Sequence, residues 1–402
     1  MIDLCMSTGA QSRRARSGFA ITGMLVLLVG CGSSGKTAST TTTTTTTPTT
    51  AALTPTSQPA TTTALPVTSA VTTAAPKNSG RGLAGAVSVV AGNAKQDGSG
   101  VPGPAATASL GSNVHYAVAA NDDVYVSTGG LDVLKISGGQ VSVFAKLNAA
   151  GGPGGGVAVG SDGSVFVATS STIVKFDSNA KATIVLTAKA ANLSTSLGPI
   201  AIDSAGNLYI ADGSRRITKL APDGKTTPFA GTGTQAPADS AVGDGGSATA
   251  SPLGAPTQLF VDVSGNVLIA DTAARRVRRV GTDGIITTIA GGGATLLNAN
   301  AEVFAADGTS PTDVKFSGVT GIAVDAKGRI YIADGQSHAI VRFGTSGGIA
   351  LVIADQKGGV ETEGSPASQT RATNVTQLGF DAKGDLLYID SSKIRAIAGA
   401  AG

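Results

Sequence analysis

The chain has no tryptophan, two histidines, two cysteines and three methionines among its 402 residues, and aromatic side chains make up 4% of it. A zinc site of the usual His/Cys type is therefore not expected, and stacking on sugar rings is poorly supplied. Glutamate is scarce too: Glu302, Glu361 and Glu363 are the only three. No Gly-Lys-Ser/Thr phosphate loop and no Gly-x-Ser-x-Gly elbow occurs, and the alternating acids of a calcium loop are missing. Catalytic residues, metal ligands and cofactors are each assigned as none. Charge is nearly balanced, with 29 basic and 26 acidic residues, which gives no case for nucleic-acid binding.

What is present begins with an export signal. Arg13, Arg14 and Arg16 precede an apolar run from Phe19 to Gly30 that ends at Leu28-Val29-Gly30-Cys31. As a helix this run reaches about 18 Å, short of the roughly 30 Å hydrocarbon core, so it suits a cleaved leader. The last four residues resemble the lipobox of bacterial lipoproteins, which implies that Cys31 is lipidated and holds the mature chain at the outer side of the cell membrane. Cys5 falls within the leader, so no internal disulfide is expected. Residues 31–79 are rich in Thr, Ala and Pro, with unbroken threonine from Thr40 to Thr47. Such a segment cannot bury enough surface to fold and reads as a stalk. The division expected is a leader over 1–30, the stalk over 31–79 and one folded domain over 80–402.

That domain is repetitive. Asp203, Asp262, Asp325 and Asp381 each end an apolar run and are followed nine residues later by Asp212, Asp271, Asp334 and Asp390. A turn with Gly206-Asn207, Gly265-Asn266, Gly328-Arg329 or Gly384-Asp385 lies between, so each copy predicts strand, tight turn, strand. Two earlier copies are degenerate, with Thr128 and Thr169 where the second aspartate would stand. A third strand carries apolar residues three apart: Val133/Ile136, Ile173/Phe176, Ile217/Leu220, Val277/Val280, Ile340/Phe343 and Ile394/Ile397. Residues three apart on a strand face opposite sides, so both faces of each small sheet must be covered, as when blades stack around an axis. Six pairs predict six blades. The last copy lacks a fourth strand, while Val87-Ser-Val-Val-Ala-Gly92 stands alone before the first; an N-terminal strand completing the last blade would close the ring.

Gly243-Asp-Gly-Gly-Ser-Ala-Thr-Ala-Ser-Pro-Leu253, the Gly-Asn turn, Leu268-Ile-Ala-Asp271 and Ile286-Thr-Thr-Ile-Ala-Gly291 together resemble the NHL repeat. The resemblance implies an all-β, six-bladed NHL propeller, and the domain also resembles the extracellular NHL sensor of a mycobacterial serine/threonine kinase. Amidating lyases and gluconolactonase-like propellers resemble this architecture as well, but the histidine set of the former is missing here and the three glutamates lie in connections between blades. A metal-assisted hydrolase or lyase with an atypical site is the alternative function.

The eight repeated aspartates are read as structural turn caps. Lys135, Lys175, Lys219, Arg279 and Arg342 recur two residues into the third strands and read as a solvated rim. Arg275, Arg276, Arg278 and Arg279 make one blade locally basic, which would suit anionic lipid or wall polymer. Asn113, His115, Thr257, Gln258, Thr320, Thr376 and Gln377 stand at the starts of inner strands and form the candidate ligand site at the channel mouth. The function expected is binding, adhesion or sensing by a monomer, directed at a protein, peptide or envelope ligand.

Overall fold

The computed structural model describes residues 85–402 apart from 94, 96, 148–153, 240–241, 298–309, 345–348, 354–363, 368–369 and 371. The leader, Cys31, the Thr-rich stretch and the three glutamates lie outside the described residues.

Second strands such as Leu208–Asp212, Val267–Asp271 and Leu386–Asp390 are buried along their whole length. Near-continuous apolar sequence makes this possible, because each sheet is covered on both faces. Among the described residues the sheets are six antiparallel blades and one small parallel pair, Thr295–Leu296 with Val314–Lys315. Their inner strands are His115–Val118, Gly154–Val159, Leu197–Ile202, Pro256–Val261, Val319–Val324 and Val375–Phe380, for blades 1 to 6 in turn. Blade 6 consists of Val375–Phe380, Leu386–Asp390, Lys393–Ile397 and, as its outer strand, Val87–Ala91 from the other end of the domain. Val87 pairs with Ile397 and is 2% exposed, so the strand seals a core as well as an edge.

The third-strand pairs explain the stacking. Val133 packs between blades 1 and 2 while Ile136 packs between blades 6 and 1. Ile173 and Phe176, Ile217 and Leu220, and Val277 and Val280 divide in the same way between the cores on their two sides, as do Ile340/Phe343 and Ile394/Ile397. Each of these side chains contributes roughly 1.5–3 kcal/mol relative to exposure. Among the described residues the core thus lies between blades, each cluster joining two neighbours.

The Ala-Gly that ends an outer strand has a mechanical role. The N–H of Gly92, Gly231 and Gly291 donates to Ala105, Ala248 and Pro311 of the connection that follows. These glycines have φ of 99°, 90° and 87°, and a Cβ on any of them would meet a backbone carbonyl oxygen at 2.3–2.5 Å. Only glycine allows this approach.

The turn aspartates act at two ranges. Asp203 accepts the N–H of Ala205 and Asn207, and Asp262, Asp325 and Asp381 take the matching pair in their own turns. The second row reaches further. Asp212 accepts Ser194 N–H, Asp271 accepts Gly254 and Ala255, Asp334 accepts Ser317 and Gly318, and Asp390 accepts Thr373 and Asn374, all 16–18 residues upstream. They pin the incoming connection to the blade, a longer reach than that of the local caps Asp212 and Asp334 also make to Ser214 and Ser337. In the degenerate copies Thr128 accepts the nearby Gly130 amide, and Thr169 bonds the Ser171 and Thr172 amides and the Thr172 carbonyl and hydroxyl, because a hydroxyl is too short to reach back.

Candidate functional site

The inner strands enclose a cavity of about 230 Å³ along the axis, lined by blades 1, 2, 3, 4 and 6. Small residues let the strands approach: a Cβ on Gly156 would lie 2.9 Å from backbone atoms of Gly198 and Ile200 in blade 3, and one on Gly379 would lie 3.2 Å from the Tyr116 hydroxyl. Most of the wall is backbone and aliphatic side chain. His115, Thr257, Gln258 and Gln377 supply its polar side chains.

Most of the polar residues expected at the mouth are engaged in holding blades together. Gln258 of blade 4 is buried; its Oε1 accepts the N–H of Ile322 in blade 5 at 2.8 Å and of Leu378 in blade 6 at 3.0 Å. Its Nε2 donates to Leu378 O at 2.7 Å, so one side chain ties three blades. Gln377 does the same between blades 6 and 1, donating to Tyr116 O and accepting Tyr116 N–H. The Thr257 hydroxyl meets that of Thr272 at 2.6 Å, and Thr320 donates to Val375 O at 2.8 Å. Asn113 is exposed with φ 49°, and Thr376 is half-buried in the blade 6 strand, outside the cavity lining.

His115 differs from these. Its imidazole lines the cavity and makes no hydrogen bond to any described residue. Burial pushes its pKa below the ordinary value near 6.5. The neutral ring therefore presents one donor and one acceptor to whatever enters the channel. A histidine held neutral by the fold destabilises it on protonation: the unfolded chain binds the proton more readily, so stability declines as pH falls below about 6.5 and levels off beneath the folded pKa. Melting midpoints of the full chain between pH 7.5 and 5 should show this decline, and His115→Gln should flatten it. An unchanged slope in the variant would mean that another group is responsible.

The basic row stands over ring faces. Lys135, Lys175 and Lys219 lie 5.8, 5.4 and 5.6 Å from the centroids of Tyr125, Phe166 and Tyr209, their cross-strand neighbours. The basic cluster of blade 4 is no surface patch: Arg276 is 5% and Arg278 0% exposed. Their strand alternates between two covered faces, and the spacing of charges in sequence could not reveal that.

The comparisons with known proteins agree with this architecture. The family model of the teneurin NHL domain matches residues 145–303, from the end of blade 1 past blade 4. A Bacteroides thetaiotaomicron protein of unknown function superposes with a TM-score of 0.58 at 20% identity, over 78% of this chain and 75% of that one. An auxiliary nutrient binding protein from Bacteroides ovatus gives 0.58 at 14% identity, over 78% and 76%. Another so described, from Bacteroides thetaiotaomicron, gives 0.55 at 13%, over 78% and 76%. No curated protein matches significantly. The chain thus carries an NHL-type six-bladed propeller, and the likeness to a kinase sensor is not carried by these comparisons.

Proposed function

We propose that this chain is a lipid-anchored extracytoplasmic binding protein that takes a protein, peptide or envelope ligand at the channel mouth. The observation that carries the reading is the cavity itself: a largely backbone-lined channel in which one polar side chain, the neutral imidazole of His115, is left unspent. A rigid ring with one free donor-acceptor pair suits recognition. Two similar propellers are described as nutrient binding proteins, which supports binding as the general role. Anchorage at Cys31, with the Thr-rich segment as spacer, rests on the sequence pattern.

Elemental analysis of the purified full chain separates this reading from a metal-assisted hydrolase or lyase. Less than a tenth of an equivalent of zinc or calcium per folded chain is the expected result, as a rough bound on adventitious metal. One tightly held metal per chain would favour the enzyme and direct attention to His115 as a ligand.

A further inference from the structure

Blade 4 holds a second unspent group of polar atoms, outside the channel lining. Arg276 and Arg278 stand two apart on the strand Arg276–Val280 and so share a face, the one whose Val280 packs between blades 3 and 4. Thr288 is the register partner of Arg278 on the neighbouring strand and belongs to the same face. The connection leading into blade 4 covers them. Arg278 Nη2 donates to Asp244 Oδ1 at 2.6 Å and to Val242 O at 3.3 Å, and Arg276 Nη1 donates to Gly291 O at 3.3 Å.

These bonds leave much unsatisfied. Arg276 Nε, Arg278 Nε and Nη1, and Thr288 Oγ1 are buried without a hydrogen-bond partner, and Asp239 beside them keeps Oδ1 unpaired. Charge is unbalanced in the same direction. Asp239 is shared by Arg275 at 3.3 Å and Lys315 at 3.1 Å, Asp244 serves Arg278, and Asp271 is committed to the Gly254 and Ala255 amides. Four cations thus face three carboxylates, one of them already held by amides. Burying guanidinium N–H groups without acceptors is among the costlier arrangements in a protein interior.

We propose that this arginine pair binds a small oxyanion of the phosphate or sulfate class beneath the connection into blade 4. A tetrahedral oxyanion offers several acceptor oxygens to the unpartnered donors of the two strands, and its negative charge opposes the cationic excess. The cover is solvent-exposed from Val242 to Gly245, so its displacement admits the ion, and the bound ion in turn fastens the connection to the blade. The site is independent of the channel.

The test measures the melting midpoint of the full chain at pH 7.5 and constant ionic strength while sodium chloride is replaced by sodium phosphate. The midpoint is expected to rise saturably by a few degrees. Thr288→Val removes one donor without removing charge and should raise the half-saturating phosphate concentration by about five- to ten-fold. Arg278→Met should abolish the response where it folds, while Thr288→Val keeps the question decidable if it does not. A midpoint indifferent to phosphate, or a wild-type response in Thr288→Val, would overturn the proposal.

Discussion

Replacing Gln258 with alanine should cost at least about 3 kcal/mol of folding stability. The side chain satisfies the N–H groups of Ile322 and Leu378 and the carbonyl of Leu378, all buried on the inner strands of two other blades. Alanine strands all three, and each unsatisfied buried backbone group costs about 1–3 kcal/mol. Against a typical total of about 5–15 kcal/mol the loss is large. Gln377→Ala removes a comparable pair of bonds to Tyr116, but Gln377 is half-buried and water can replace it, so about 1 kcal/mol is expected. Urea unfolding midpoints of the two variants test the contrast. A Gln258→Ala protein as stable as the wild type would show that the glutamine is not a tie between blades and would return it to the list of ligand contacts.

That contrast marks where sequence reading reached its limit. Strand order, blade number and the closing strand were legible because they depend on periodicity: the i, i+3 pairs of the third strands must face two cores, and Val87-Ser-Val-Val-Ala had no other sheet to complete. The local turns were legible for the same reason, since Asp203 and its equivalents act within four residues. Contacts across the ring were not. Gln258 bonds to residues 64 and 120 positions away, and nothing at Gln258 itself distinguishes a bridging amide from a ligand-binding one. Blade 4 misled in the opposite sense. Arg275, Arg276, Arg278 and Arg279 read as a basic surface, whereas strand alternation and the overlying connection bury Arg276 and Arg278. A hint was present in Asp244 and Asp239 of that connection, acids placed to meet the buried charge.

The second large effect concerns the channel. If His115 is the recognition group, His115→Arg places a charge and added bulk in a cavity of about 230 Å³ and should weaken ligand capture at least about ten-fold, a loss typical of a central contact. His115→Gln keeps a neutral donor and acceptor at changed positions and should weaken it less. The glutamine replaces no hydrogen bond to a described residue, so His115→Gln should melt near the wild-type temperature at pH 7.5, whereas the desolvated guanidinium of His115→Arg should lower the midpoint.

The most direct measurement is therefore quantitative capture from solubilised cell envelope by the immobilised full chain, with wild type, His115→Gln and His115→Arg run in parallel and matched for folded protein. The account predicts a component retained in stoichiometric amount by the wild type, reduced by His115→Gln and lost with His115→Arg. Equal retention by all three proteins, or none by the wild type, would contradict the channel as the binding site.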